Sequence, residues 1–487
     1  MSKRRASVRT SSNCDERGPS VSRRGALVLI AVFFVLSLVK VSRHEIWSDE
    51  AEYWDAARAS HSLAELRANT RYMGQPPLNH LVLYGLSRFT RDPRAMQVLN
   101  VVEATGAVAV VAFCAPWSPL ACALFAFGYF PFFEYGTISR HYALMLLLAL
   151  GMCAAWRRRR ELSPAVGGLG FLLAVTTFHG TILVLALWLA FVASALVTRR
   201  RPSRRELVGA TLLAAGVALS VATSIPPPDS AFLKPWTPAW DGEKATLAAL
   251  QPWQALAPLP TLQPPWWNRT LLDDWPVVEA ALGGLLVALV LRAVRRSPLA
   301  VLWLAASLVG LLLFTYQQWG GAARHAGVLF VACLAALWIG AERSRFVTLL
   351  LALQVPGGVV MSGRDLMEPF SPSVATAEYL RAKGLADLPA VGAVEFAVAP
   401  VFVLLDRPFY SPQSRRWRTR PEYRAGQFDL SPREVLSAAQ RLQAKTGQPV
   451  VLVLTKHASR RTKLLACFDD RFFPQRICVY RLAEEPS

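Results

Sequence analysis

Eleven apolar segments constrain the fold of this sequence more than any other feature. Each is close to the length of about 20 residues that an α-helix needs to cross a lipid bilayer. Because 53% of the 487 residues are hydrophobic, the composition also excludes an ordinary soluble protein. We therefore predict a polytopic α-helical membrane protein with about 11 transmembrane helices. The segments lie at 25–41, 97–115, 119–135, 140–156, 163–178, 180–198, 207–225, 277–294, 298–316, 325–341 and 346–361.

Short basic runs indicate how the spans are oriented. Residues 1–24, 157–160, 199–205, 292–296 and 342–345 carry 21 of the 53 Lys and Arg residues, and all fall on one face of an eleven-span topology. Cytoplasmic loops carry such an excess of positive charge. The N-terminal 24 residues are therefore predicted to be a disordered basic tail in the cytoplasm. No nucleic-acid partner is expected, because no folded basic domain carries the net charge of +20.

Three longer polar segments then share the opposite, external side of the membrane. They are a first loop at 42–96, a middle loop at 226–276 and a tail at 362–487. The first two belong to a predicted transmembrane module at 25–361. The composition, rich in Ala, Arg and Leu, favours a bacterial inner membrane, in which case the external side is the periplasm.

The tail is predicted to fold as a soluble α/β domain. Ser431-Pro-Arg-Glu434 is a capping box with proline at the first helical position, and Gly447 ends that helix. The apolar runs 391–398, 401–405 and 450–455 are typical of strands. Alternating helices and strands indicate a layered domain.

Two cysteines of the tail, Cys467 and Cys478, lie close together in the sequence. An oxidising external compartment permits a disulfide between them. Two buried free thiols are the alternative, and the sequence alone leaves both open.

The stretch from His44 to Arg58, directly after the first span, holds five carboxylates. Carboxylates are costly near hydrocarbon, so they form a functional-site hypothesis. Asp49 could accept a proton from an acceptor hydroxyl. Asp49 can equally cap a helix, with Glu52 completing a capping box, and Glu52 and Asp55 are then charges on a solvated face. The two roles are compatible, because backbone N–H groups would hold the Asp49 carboxylate in place.

Glu134, at the end of the third apolar segment, is the second carboxylate expected on the external face. It could assist Asp49, or the two could share a divalent metal, for which Mg²⁺, Mn²⁺ and Ca²⁺ are the candidates because they prefer oxygen ligands. Alternatively, Glu134 faces the lipid headgroups.

Cationic residues on the same face are candidates for binding a phosphate. Arg71, Arg140 and Arg324 can each bind phosphate in a bidentate manner. Arg140 and Arg324 stand at span ends on the side where positive charge is disfavoured, which argues for a function. The alternative for each arginine is to anchor the chain at the membrane interface. His141 and His325 beside them are expected to be orienting or packing groups rather than metal ligands.

These residues resemble the GT-C superfamily of membrane glycosyltransferases, especially its protein O-mannosyltransferase and aminoarabinose transferase-like branch. The matching motifs are Asp49-Glu50-Ala-Glu-Tyr53, Gln75-Pro-Pro-Leu78 and Glu134 ahead of Arg140-His-Tyr-Ala-Leu144. The resemblance implies a polyprenyl-phosphate sugar donor and inversion at the anomeric carbon. It also implies Asp49 as the base, with Glu50 and Glu134 as its catalytic neighbours. The expected partners are this lipid-linked sugar and membrane lipids, while the acceptor is unspecified.

One residue departs from the pattern of that branch. Gln75 stands where a cationic residue often precedes Pro-Pro, and an amide cannot balance a phosphate charge. Donor phosphate binding is therefore assigned to Arg71, Arg140, Arg324 and His325. The substrate pocket is expected to include Tyr53, Tyr72, Gln75 and His141.

Two other functions fit parts of the sequence. A lipid or glycolipid transporter would place charges at mid-bilayer in paired broken helices, whereas these charges crowd the external boundary. A non-catalytic component of cell-envelope polysaccharide assembly would leave Asp49, Glu134 and Arg140 apart in space. The distances between these side chains distinguish that alternative from an enzyme.

Overall fold

The computed structural model describes residues 21–482, apart from 160, 234–238, 319–320, 342–344, 426–429 and 456–460. The predicted basic tail at 1–24 therefore lies almost entirely outside the described residues. The membrane part is helical, as predicted. Its helices are α1 (Arg23–Val41), α2 (Ser48–Arg58), α3 (Leu63–Thr70), α4 (Leu78–Leu86), α5 (Arg94–Cys114), α6 (Pro119–Ala126), a short π-helix (Tyr129–Glu134), α7 (Tyr142–Arg159), α8 (Pro164–Ala174), α9 (Phe178–Val197), α10 (Arg204–Ser224), α11 (Gly242–Leu256), α12 (Pro276–Val294), α13 (Pro298–Gln317), α14 (Ala323–Ile339), α15 (Arg345–Ala352) and α16 (Val355–Met367).

Seven stretches of helix within the described residues are long and apolar enough to cross a membrane. They are α1, α5, α9, α10, α12, α13 and the 23 residues from Arg345 to Met367. The fold class is confirmed as polytopic and helical, but four of the eleven predicted spans do not form a single helix that is both long and apolar enough. The third divides into α6 and the π-helix, where Pro131 has no N–H to donate. The others are α7, which ends in three arginines, and the shorter α8 and α14.

The predicted α/β domain in the tail is present. Its elements are α17 (Ser373–Ala382), β1 (Ala390–Ala393), α18 (Glu395–Leu405), β2 (Phe409–Ser411), β3 (Arg416–Arg418), α19 (Pro432–Thr446), β4 (Val451–Leu454), β5 (Thr462–Asp469) and β6 (Arg476–Leu482). We call residues 373–482 the tail domain. The strand order is β3-β2-β1-β4-β6-β5, with β1 parallel to β2 and β4 and the remaining pairs antiparallel.

Successive side chains of β4 pack into two separate apolar clusters. Val451 and Val453 belong to the cluster that contains Phe402 of α18, whereas Leu452 belongs to the cluster that contains Leu442 of α19. Side chains of a strand alternate between the two faces of a sheet. The sheet is therefore covered by helices on both faces, which makes the tail domain a three-layer unit.

One strand prediction in the tail is wrong. The runs 391–398 and 401–405 were both expected to be strands, but only Ala390–Ala393 is a strand and Glu395–Leu405 forms helix α18. Helix α18 is apolar on most sides because it is packed between the sheet and α2, where Val403 joins Trp54 in one cluster. Periodicity cannot distinguish a short buried helix from a buried strand.

Cys467 and Cys478 form the predicted disulfide. The two residues lie directly opposite each other on β5 and β6, with their Cα atoms 4.1 Å apart. Strand β5 is the edge of the sheet and pairs only with β6. The bond therefore fastens the edge strand to its neighbour.

We expect the double substitution Cys467→Ser, Cys478→Ser to lower the free energy of opening of the β5–β6 hairpin by about 3 kcal/mol, because the cross-link restricts a short loop in the unfolded chain. Hydrogen exchange of the amides in residues 462–482 measures this change. Cys114→Ser, in the membrane part, is the control and should leave these amides unaffected. Unchanged protection in the double variant would contradict a stabilising role.

Candidate functional site

A cavity of about 790 Å³ lies where the first loop, several helix ends and the tail domain meet. Its walls come from α2, the starts of α7, α9 and α14, the ends of α10 and α13, and the tail domain. One part of the lining is ionisable or polar: Asp49, Glu52, Tyr53, Gln75, Arg140, Tyr142, His179, Arg324, His325 and Tyr423. Another part is apolar: Val221, Ile225, Phe232, Leu233, Phe314, Phe396 and Phe473. The cavity therefore suits an amphipathic ligand.

Asp49 lies at the centre of the polar part. It is in the first turn of α2, where the helix dipole favours a negative charge. Its Oδ2 is 2.7 Å from Nη1 of Arg140 and 3.6 Å from Nη2 of Arg324. Arg140 lies just before α7 and Arg324 lies at the start of α14, far apart in sequence, so the fold itself brings their charges to one carboxylate.

Glu50, rather than Asp49, accepts the capping hydrogen bond of α2. The N-cap is Trp47, two residues before the predicted N-cap Asp49. The Glu50 carboxylate accepts from the N–H of Trp47 at 3.0 Å and from the N–H of Ser139 at 2.6 Å. Glu50 is fully buried and does not line the cavity. Its contacts link the start of α2 to the residue that precedes Arg140.

Aromatic rings flank the guanidinium of Arg140. Its Cζ lies 5.2 Å from the ring centroid of Tyr53 and 5.6 Å from that of Tyr142. Nη2 also donates to the Tyr53 hydroxyl at 3.4 Å. Burial raises the pKa of Tyr53 above its ordinary value, so this hydroxyl stays neutral. The aromatic rings and the Asp49 carboxylate together hold a buried positive charge in one orientation.

Arg324 is held by a second set of aromatic rings. Its guanidinium carbon lies 5.6 Å from the ring centroids of both Trp47 and Trp267. The indole N–H of Trp267 donates to Glu134 at 2.8 Å, and the Tyr129 hydroxyl donates to the same carboxylate oxygen at 3.0 Å. Glu134 is buried and is not part of the cavity lining. It contacts Trp267, and Trp267 in turn contacts Arg324.

Helix α14 can bring Arg324 to the cavity because Gly327 permits a close approach. A Cβ at Gly327 would lie 2.3 Å from the hydroxyl oxygen of Tyr135 and 2.4 Å from the ring of Phe130. The Tyr135 hydroxyl donates to the backbone oxygen of Arg324 at 2.7 Å. A larger residue at 327 would separate these elements and displace the arginine.

The structure adds Glu52 to the site, a residue that the sequence placed on a solvated face. Glu52 is buried because the tail domain covers α2, and its Oε2 accepts from the Tyr423 hydroxyl at 2.5 Å. Burial, followed by the nearby charge of Asp49, raises the pKa of Glu52 to about 8. The burial of Glu52 could have been detected from the run Ala51 to Ala57, because its composition leaves α2 without a clearly polar face.

Some of the remaining predicted residues line the cavity and others do not. Gln75 and His325 line the cavity. His141 lies behind Tyr53, with Nδ1 3.1 Å from the Tyr53 hydroxyl. Tyr72 donates instead to the Asp229 carboxylate at 3.0 Å, and Arg71 lies over the Tyr72 ring, so neither lines the cavity. Tyr142, His179 and Tyr423 line it without having been predicted.

No protein-family model and no curated protein matches this sequence. Among solved structures, it is similar to ArnT from Cupriavidus metallidurans bound to undecaprenyl phosphate, with a TM-score of 0.53 and 15% identity over 96% of this chain and 100% of that one. The chain has the fold of ArnT. The apo state of ArnT matches with a TM-score of 0.45 and 14% identity over 95% of this chain and 99% of ArnT. The predicted resemblance to GT-C enzymes is thus confirmed for the fold, which ArnT shares along the length of both chains.

The metal site between Asp49 and Glu134 remains a prediction. In the part of the chain that the structure describes, no group of three or more His, Cys, Asp or Glu side chains is placed to hold a metal ion. Two guanidinium groups face Asp49 Oδ2, and Glu134 Oε2 accepts two hydrogen bonds. This donor set does not fit a divalent cation, so we derive no step through one.

The contacts of Glu50 predict a mainly structural role. Glu50→Ala should reduce stability by about 3 kcal/mol or more, because it leaves buried N–H groups and the buried His44 without their acceptor. Asp49→Asn should be less destabilising, because the Asp49 carboxylate is partly exposed to the cavity and solvent can screen the two arginines that it leaves. The apparent melting temperature in detergent, followed by size-exclusion chromatography, compares the two variants. A Glu50→Ala protein as stable as the wild type would contradict this assignment.

The raised pKa of Glu52 predicts a pH dependence of stability. Between its ordinary value of 4.5 and its folded value of about 8, the folded state retains a proton that the unfolded chain has lost. The free energy of unfolding therefore falls as the pH rises through this window. Glu52→Gln should show a smaller fall in melting temperature from pH 5 to pH 8 than the wild type. Parallel curves for the two proteins would contradict the assignment.

Proposed function

We propose that this chain is a membrane glycosyltransferase that moves a sugar from a polyprenyl-phosphate donor to an acceptor on the external face, with inversion at the anomeric carbon. The convergence of Arg140 and Arg324 on Asp49, in a cavity with an apolar wall, is the observation that carries the proposal. The ArnT structure with the same fold is bound to undecaprenyl phosphate, which supports a donor of this class.

The apolar wall supports binding of a prenyl chain. It includes the end of α10 and the following loop, with Val221, Ile225, Phe232 and Leu233. Val221 and Ile225 are both exposed as well as part of the cavity lining. A prenyl chain could therefore extend from the arginines along this wall towards the bilayer.

The polar part supports binding and departure of the phosphate. Two preorganised guanidinium groups would neutralise the charge that the phosphate gains as its bond to the sugar breaks. In the absence of a donor, Asp49 occupies the position between the two arginines. Donor phosphate would take over these ion pairs and leave Asp49 beside the anomeric carbon.

The chemical step then follows with Asp49 as the base. The acceptor hydroxyl gives its proton to the Asp49 carboxylate while its oxygen forms a bond to the anomeric carbon. The bond from that carbon to the phosphate oxygen breaks, and its electron pair stays with the phosphate. Attack from the face opposite the leaving phosphate inverts the configuration of the sugar.

The geometry favours an enzyme over the non-catalytic alternative. That alternative would leave the charged side chains apart, whereas each of the two arginines has a guanidinium nitrogen within 3.6 Å of Asp49 Oδ2. We further propose that the cavity and the tail domain face the periplasm of a bacterial inner membrane and that the N-terminus is cytoplasmic. The Cys467–Cys478 disulfide supports an oxidising compartment for the tail domain.

Asp49→Asn should lower the rate of sugar transfer by about 10²-fold or more, because the amide cannot accept the proton. Transfer can be followed by mass spectrometry of glycans and lipids from cells that lack the protein and carry either the wild type or the variant. Glu45→Gln, in the same loop and bonded to Ser371 N–H, is the control that should restore transfer. Near-wild-type transfer by Asp49→Asn at equal expression would contradict the role of Asp49 as the base.

A further inference from the structure

We propose that Glu52 and Tyr423 form a subsite that binds a hydroxyl group of the transferred sugar, so that the tail domain takes part in selecting the donor. This inference rests on the proposed function, since it names what the same cavity recognises beyond the phosphate. It assigns a binding role to two residues that the transfer chemistry described above does not use.

Glu52 has an unused hydrogen-bonding atom inside the cavity wall. Its Oε2 accepts from Tyr423, whereas its Oε1 is buried and has no hydrogen-bond partner among the residues that the structure describes. A buried carboxyl oxygen without a partner costs free energy, which a ligand hydroxyl would offset. Glu52 also belongs to the cavity lining, so a bound ligand can reach it.

The position of Glu52 relative to Asp49 suits a sugar ring. The two residues are three positions apart on α2 and lie on the same face, with about 5–6 Å expected between their Cβ atoms. The Asp49 end of this distance is where the proposed mechanism places the donor phosphate and the anomeric carbon. A monosaccharide ring attached there would place its remote hydroxyl groups near Glu52.

Tyr423 is held in place before any ligand binds. Its backbone oxygen accepts from the N–H of Ala231, and its ring packs on Phe232 with 4.5 Å between the ring centroids. The tail domain also contributes Phe396 and Phe473 to the lining, and both rings are partly exposed. The tail domain thus supplies a hydroxyl and two aromatic surfaces to the cavity, a composition that suits an uncharged polar ligand.

The charges around Glu52 favour a hydroxyl over a cationic group. Burial, and then Asp49 on the same helix, raise its pKa to about 8, while Tyr423, Arg140 and Arg420 act in the opposite direction. Its carboxyl group is therefore mostly protonated near neutral pH. A protonated carboxyl can both donate to and accept from a hydroxyl, and it attracts a cation weakly.

The test compares binding of two kinds of lipid to the full-length protein in nanodiscs. One is undecaprenyl phosphate, and the other is undecaprenyl phosphate that carries glucose, mannose, galactose or an amino sugar. The measured quantity is the ratio of the dissociation constants of the sugar-free and the best sugar-bearing lipid. We expect the wild type to prefer a lipid with a neutral sugar.

Glu52→Ala should reduce this preference about tenfold, and Tyr423→Phe should reduce it by a smaller factor, while both keep the wild-type affinity for undecaprenyl phosphate. Glu52→Gln should retain most of the preference, because an amide also donates and accepts. Glu45→Gln and Tyr84→Phe are the matched controls and should behave as the wild type. Tyr423→Phe provides a second reading should Glu52→Ala fold poorly.

The outcomes separate this inference from the proposed function. A wild type that binds neither lipid would overturn both. The subsite alone would be overturned by the following combination. The wild type binds both lipids, Arg140→Ala weakens binding of each, and Glu52→Ala keeps the wild-type preference for the sugar-bearing lipid. The hydroxyl subsite would also be overturned if the wild type preferred no sugar-bearing lipid. The same holds if the wild type preferred the amino-sugar lipid and Glu52→Gln abolished that preference.

Discussion

Two guanidinium groups repel each other inside a protein unless an anion lies between them, and here the Asp49 carboxylate is that anion. Much of the surrounding structure serves this contact. Aromatic rings flank both arginines, Gly327 lets α14 approach, and Glu134 fixes the tryptophan that supports Arg324. Under the proposed function, the donor phosphate would take the place of the Asp49 carboxylate between these two guanidinium groups.

The first loop is attached to the membrane part by a second set of buried charges. His44 lies between Glu50 and Asp365, at 3.2 Å and 2.8 Å. Burial opposes a charge on His44, but these two carboxylates outweigh it and raise the pKa of His44 to about 10. The resulting imidazolium joins the start of α2 to α16. The ion pairs of His44 with Glu50 and Asp365 therefore keep the start of α2, and with it Asp49, in position, although these ion pairs do not line the cavity.

The sequence predicted the residues whose chemistry is unusual for their location and missed those whose role depends on packing. Arg140 and Arg324 stood out because positive charge is rare on that side of a membrane. Glu52 did not, because its burial depends on the tail domain, and Tyr423 lies 371 residues away. The N-cap of α2 is two residues earlier than predicted, so Glu50 instead of Glu52 supplies the carboxylate of the capping box, and Glu50 also accepts from the N–H of Ser139. Helix α18 was mistaken for a strand for a similar reason, since its neighbours, and not its own periodicity, determine its form.

The packing of α18 against α2 connects the tail domain to the chemistry of the cavity. It covers Glu52, which would otherwise be a solvated carboxylate with an ordinary pKa. Once covered, Glu52 needs a partner, and Tyr423 supplies one from the same domain. Arg420 follows the same logic, with Nη1 3.7 Å from the buried carboxylate of Asp55. Removal of the tail domain would therefore change the charge state of α2 as well as open the cavity. Under the proposed function, the membrane part would supply the charges that bind the donor phosphate, and the tail domain would determine which neutral groups lie beside them.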